Sequence, residues 1–132
     1  FPIKKQVVTK TILTNKNNLR KIIKIIHPEI RKKMNIFIKK NKKKKIIILD
    51  IPLLLENQIN RKKDILVFVD SKKGEILKRL KKRKNFNYKI TNKFRKIQLS
   101  LDYKKKKSNF IIKNNFTNKF VKKQIRYILK QI

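Results

Sequence analysis

Short, unbroken apolar runs constrain the fold of this chain more than any other feature. Ile46-Ile47-Ile48-Leu49-Asp50-Ile51 and Ile65-Leu66-Val67-Phe68-Val69-Asp70 are β-branched and too brief for helices. They show no in-out alternation, so each predicts a strand buried on both faces. Lysines 42–45 bound the first run on one side and Pro52 on the other. Phe110-Ile111-Ile112 is a third, shorter candidate. Around the runs, apolar residues recur at three and four. Residues 72–84 read as a helix with Ile76, Leu77 and Leu80 inward, and Ile90, Phe94, Ile97 and Leu101 keep the same spacing. Thr117 fits as the cap of a last helix carrying Phe120, Val121, Ile125, Ile128, Leu129 and Ile132. Buried strands alternating with helices predict an α/β fold, its sheet mostly parallel and flanked by helices.

The N-terminal third differs. Leu19, Ile22, Ile23, Ile26, Ile30, Met34, Phe37 and Ile38 form an inward stripe over residues 19–38. Pro28 interrupts it, and proline is tolerated in a helix's first turn but not in its interior. The spacing therefore predicts two helices meeting near His27, the first capped by Asn15, Asn17 or Asn18.

With 132 residues the chain can bury a real core. It has no cysteine and one histidine, which excludes a disulfide framework and thiolate or His-rich metal sites. No apolar run reaches membrane-spanning length. The start, Phe1-Pro2-Ile3, is neither a signal peptide nor an initiator Met, so a start inside a longer, cytosolic protein is expected. Forty-one Lys+Arg against seven Asp+Glu give +34, a field that attracts any polyanion at low salt. Yet Ala is absent, Gly occurs once, and Lys, Ile and Asn dominate. Those favoured residues have AT-rich codons, so base-composition drift accounts for much of the surface lysine. Seven of the basic residues are Arg, the type suited to planar, bidentate phosphate contacts.

The scarce acids are informative. Asp50 and Asp70 each close a strand run, and Glu56 follows Pro52-Leu53-Leu54-Leu55. In open α/β sheets ligands bind outside the carboxyl ends of strands, so these positions point to an edge handling phosphate and Mg²⁺. Asp70 reads first as the cap of the helix after it, and for Asp50 the site and structural readings stand level. Arg79 and Arg83, four apart on the helix expected over 72–84, share a face. The lysine runs at 42–45 and 104–107 read as solvated surface.

Several segments together resemble dephospho-coenzyme A kinases. Leu49-Asp50-Ile51-Pro52-Leu53-Leu54-Leu55-Glu56 is similar to that family's D-x-P-L-L-x-E segment, and His27-Pro28-Glu29-Ile30-Arg31 to its H-P-x-I/V-R junction. Val67-Phe68-Val69-Asp70 stands for V-V-D, Arg79-Leu80-Lys81-Lys82-Arg83 for the R-L-x-x-R lid entry, and Ile111-Ile112-Lys113-Asn114 for V-I-D-N. Gln98 and Lys104 match a glutamine and a lysine of the lid region. The order and spacing hold from Ile3 to the C-terminus.

The resemblance implies a P-loop kinase-like fold of the nucleoside monophosphate kinase type. Residues 1–45 would be part of a helical substrate-binding region, residues 46–132 the nucleotide core, and about 79–107 a helical lid. It implies transfer of the ATP γ-phosphate to the ribose 3′-hydroxyl of dephospho-CoA, with ATP and Mg²⁺ and no membrane or specific nucleic-acid partner. Arg79 and Arg83 would be catalytic, His27, Arg31 and Glu56 substrate-binding, and Asn114 nucleotide-binding; no residue is assigned to a metal. The sequence departs from the family in several places. It has no Gly-rich phosphate loop, Lys5 stands for an arginine, Ser108-Asn109 for A-D, Lys113 for the aspartate of V-I-D-N, and the lid glycine after Arg83 is absent. The chain alone is expected not to turn over. A basic nucleic-acid module of ribosomal type and another nucleotide kinase of the same fold are the alternatives.

Overall fold

The computed structural model describes residues 4–132, without the side chains of Lys5 and Lys16. The expectation for Lys5 therefore lies outside the described residues. Two compact units divide the chain, Phe1–Pro52 and Leu53–Ile132.

The first unit holds two helices in contact, α1 (Lys5–Thr14) and α2 (Lys16–Lys40). Asn15 makes the joint. It is extended, and its side-chain oxygen accepts the Asn17 N–H at 2.8 Å, capping α2. Asn18 Nδ2 donates back to the Thr11 carbonyl at 2.8 Å, and Ile12 and Leu19 are buried. At the other end of α2, the Asn41 N–H and Nδ2 both donate to the Phe37 carbonyl, one of the acceptors a helix end leaves unpaired.

Pro28 lies inside α2 and does not divide it, contrary to the expected pair of helices. Proline removes one N–H and crowds the carbonyl four residues back. The helix runs on through Met34 and Ile38, both half-buried, while Ile26, Ile30 and Phe37 of the expected inward stripe are exposed.

The predicted strand at 46–50 is not a strand. Ile46 and Leu49 are exposed and Ile48 is 83% accessible, so the expectation of burial on both faces also fails. An apolar run supplies side chains, but ladder hydrogen bonds must come from a partner. Among the described residues no strand pairs with this segment.

The second unit holds the sheet. β1 (Val67–Asp70) pairs in parallel with β2 (Phe110–Lys113), in the register Val67↔Phe110 to Asp70↔Lys113. The expected burial on both faces fails here as well: exposed Val67 and Val69 alternate with half-buried Phe68 and Asp70, so β1 is covered on one face. Parallel pairing needs a long crossover. Here it is α3 (Lys73–Lys81), α4 (Tyr88–Lys96) and α5 (Leu101–Lys107). The periodicity of 90–101 reads as one helix, but Ser100 starts a new one, its hydroxyl oxygen accepting the Tyr103 N–H at 3.2 Å. α6 (Asn118–Gln131) packs on β2, with Ile112 and Ile128 buried.

Side chains finish the sheet where backbone does not. Asn109 Oδ1 accepts the Leu66 N–H at 2.8 Å, and the Asn109 N–H donates to the Leu66 carbonyl at 2.8 Å. Gln124 on α6 brackets Lys113: its Oε1 accepts the Lys113 N–H and its Nε2 donates to the Lys113 carbonyl, each at 2.9 Å. Thr117 stands at the start of α6, but its hydroxyl donates to Asn115 Oδ1 and makes no cap bond.

Candidate functional site at the carboxyl ends of the strands

Both strands end together at Asp70 and Lys113. The Asn114 N–H donates to the Asp70 carbonyl at 2.7 Å, extending the ladder one step past β2. Asn114 Oδ1 then accepts the Phe116 N–H at 2.8 Å, which turns the chain over the sheet's end. Asn114 thus makes the turn that follows β2.

Asp70 does not cap the following helix. Lys72 holds that position, and the Asp70 carboxylate instead meets Lys105 Nζ at 2.9 Å. Glu56, from the loop after Pro52, meets Lys104 Nζ at 2.6 Å and accepts the Leu99 N–H at 3.0 Å. Burial pushes the Glu56 carboxyl up, but the Lys104 hydrogen bond, backbone N–H donors and the Lys104 charge together hold it below its ordinary value of 4.5. The loop presenting it is tightly wound. Leu53 and Gln58 have φ of 57° and 49°, and Asn57 donates through its N–H and Nδ2 to the Leu53 carbonyl.

Neighbouring lysines of α5 therefore grip two different elements, the 53–58 loop through Glu56 and the end of β1 through Asp70. The reading of 104–107 as solvated surface is corrected for Lys104 and Lys105. Ion-pair partners so far apart in sequence leave no local trace.

Arg79 lies in the last turn of α3, its guanidinium carbon 3.8 Å from the centre of the Phe116 ring. Arg83 lies beyond the helix, which ends at Lys81, so the expected shared helical face does not form. Three-residue turns take over: the Arg83 N–H donates to the Leu80 carbonyl, and the Arg83 carbonyl accepts the Phe86 N–H. The Arg83 side chain is exposed. The structure thus gathers Asp70, Lys105, Asn114, Phe116 and Arg79 around the end of the sheet. Phe116 had no sequence signal beyond the asparagine pair ahead of it. His27, half-buried, and Arg31, exposed, are one turn apart on α2 in the other unit, and Asp50 is exposed there. The lone glycine, Gly74, lies in the first turn of α3 with open space around it and is no part of a phosphate loop.

The family model described as dephospho-CoA kinase matches residues 2–119. The chain belongs to the dephospho-CoA kinase family. Curated relatives bearing that name include one from Wolbachia pipientis wMel, 30% identical over 98% of this chain and 67% of its own length. One from Fusobacterium nucleatum is 33% identical over 86% of this chain and 58% of its own length. One from Bacillus anthracis is 32% identical over 91% of this chain and 61% of its own length. The chain thus spans about three-fifths to two-thirds of the length of these relatives.

Proposed function

We propose that this protein is a dephospho-CoA kinase, transferring the γ-phosphoryl group of ATP to the ribose 3′-hydroxyl of dephospho-CoA, the last step of coenzyme A synthesis. The family match across residues 2–119 carries the reading. The geometry of the second unit supports it, because a basic, partly paired cluster lies at the carboxyl ends of parallel strands, where α/β proteins bind ligands. On this reading the fold is of the P-loop kinase type, with about 79–107 acting as lid.

Phosphoryl transfer asks the protein mainly for positioning and charge stabilisation. Arg79 and Arg83 carry the cations that offset charge on the transferring group. His27, Arg31 and Glu56 serve the substrate side, Glu56 by holding its loop to α5, and Asn114 shapes the turn beside the nucleotide. Among the described residues no cluster of acids and histidine could cage a metal. Mg²⁺ accompanying ATP would be held chiefly by phosphate oxygens and water, as that ion commonly is. No helix among the described residues is long and apolar enough to cross a membrane. With no cysteine in the chain, a reducing cytoplasmic setting completes the reading.

The test is transfer of label from γ-labelled ATP, with Mg²⁺, to dephospho-CoA and to a panel of nucleoside monophosphates. Label on dephospho-CoA alone is the expected result where these residues work with a Gly-rich phosphate loop; the 132 residues alone, which hold no such loop, should bind dephospho-CoA without transferring label. Label on a nucleoside monophosphate instead would move the protein to a sister activity, and neither transfer to nor binding of dephospho-CoA would overturn the assignment.

A further inference from the structure

Phe116 has φ of 63°, in the left-handed region. For a bulky aromatic residue that backbone costs about 1–2 kcal/mol. Asparagine side chains hold the turn on either side: Asn114 Oδ1 takes the Phe116 N–H, and Asn115 Oδ1 accepts both the N–H and the hydroxyl of Thr117. What the conformation achieves is the stack on Arg79 at 3.8 Å. A cation–π contact at a half-exposed site contributes about 0.5–2 kcal/mol, close to the backbone cost. The arrangement thus adds little net stability. Its effect is on position.

That effect is specific. Arg79 is a long, exposed side chain at the end of α3, and alone it would sample many rotamers. The five N–H donors of a guanidinium lie in its plane, so a contact made through its face leaves them free to meet phosphate oxygens bidentately. Phe116 follows Asn114, which is bonded to the end of β1, so the guanidinium is tied to the sheet edge by a short chain of contacts.

We propose that Phe116 is the positioning residue for Arg79, holding its guanidinium edge-on to a nucleotide polyphosphate at the end of the sheet. The ligand named here rests on the kinase reading above.

A double-mutant cycle tests it, with ATP affinity measured by calorimetry at moderate salt to suppress non-specific attraction. Leucine carries the same left-handed strain as phenylalanine, so Phe116→Leu removes the stack and leaves the backbone cost. It should weaken ATP binding about three- to tenfold, and Phe116→Tyr should restore it to within about twofold. On an Arg79→Ala background, Phe116→Leu should cause no further loss, because the effect passes through Arg79. In NMR spectra the Arg79 Nε–H should show a ring-current shift that Phe116→Leu abolishes and Phe116→Tyr keeps. Equal losses on both backgrounds, or ATP binding indifferent to Phe116→Leu, would overturn the positioning role alone. No ATP binding by the parent protein would overturn the nucleotide reading and the ligand named here with it.

Discussion

Glu56 Oε1 receives Lys104 Nζ at 2.6 Å and the Leu99 N–H at 3.0 Å, so one carboxylate oxygen joins a loop to the residues that lead into α5. The Glu56 side chain is 9% accessible and that of Lys104 18%, which keeps solvent screening small. Removing one partner strands the other, and the stranded group bears the desolvation cost.

Lys104→Met should therefore destabilise the protein by about 1–3 kcal/mol at neutral pH, read from urea unfolding. The acid limb should change as well. The Glu56 carboxyl is depressed below 4.5 in the folded state, so its contribution is fully present above that value and is lost as pH falls through the folded one. The parent protein should lose this increment as pH falls below about 4.5. In Lys104→Met burial is less opposed, the folded carboxyl takes up a proton more readily, and the acid loss should shrink. Unchanged acid limbs in the two proteins would show that the pair does not set this titration.

Asn109 stands where the family resemblance expects an aspartate, and its Oδ1 accepts the Leu66 N–H at 2.8 Å. An aspartate oxygen can accept the same bond, whereas leucine has no acceptor. Asn109→Asp should leave the unfolding midpoint nearly unchanged, and Asn109→Leu should lower stability by about 1 kcal/mol. Hydrogen exchange at the Leu66 amide should quicken only in the leucine variant.

Pro28 costs α2 one backbone bond and some crowding at the Lys24 carbonyl. Pro28→Ala restores the donor within an otherwise continuous helix. It should raise the melting temperature of the first unit and stabilise it by up to about 3 kcal/mol, with a small gain in helical circular dichroism. A lower melting temperature would mean that the helix is bent on purpose at His27.

These cases show what could be read in advance. β1 and β2 were legible because short β-branched runs end at polar residues and the spacing between them suits a helical crossover. The same rule misreads 46–50, because periodicity describes side chains and cannot say whether a partner strand pairs there. Pro28 misleads for a different reason: the local rule predicts a break, yet α2 runs on through it at the cost of one backbone bond. At the site, Arg79 and Asn114 carried a signal in type and spacing. Glu56, Asp70 and Lys104 were also marked by type and motif, but the pairings Glu56–Lys104 and Asp70–Lys105 were not, since each is made by the packing of α5. Phe116 was invisible because a left-handed aromatic has no sequence signature.

The charge poses the last question. Forty-one basic residues against seven acids draw in any polyanion, whether or not selection placed them there. The two origins differ in what they predict. Drifted surface lysine gives contacts to phosphate alone, which release counterions and carry no sequence information. A selected reader would add base-specific contacts that survive salt. Binding to single-stranded RNA, followed by fluorescence anisotropy, should therefore fall by about a thousandfold or more between about 50 and 200 mM salt. Poly(U) and poly(A) should track one another within about threefold throughout, since phosphate contacts do not distinguish them. Three ordered side chains already argue for this outcome. Lys104 and Lys105 are committed to acids within the fold, and Arg79 to an aromatic ring, so the best-placed cations face inward or toward the sheet's end. A preference of about tenfold or more for one RNA at the higher salt would show base-specific contacts of a selected nucleic-acid reader.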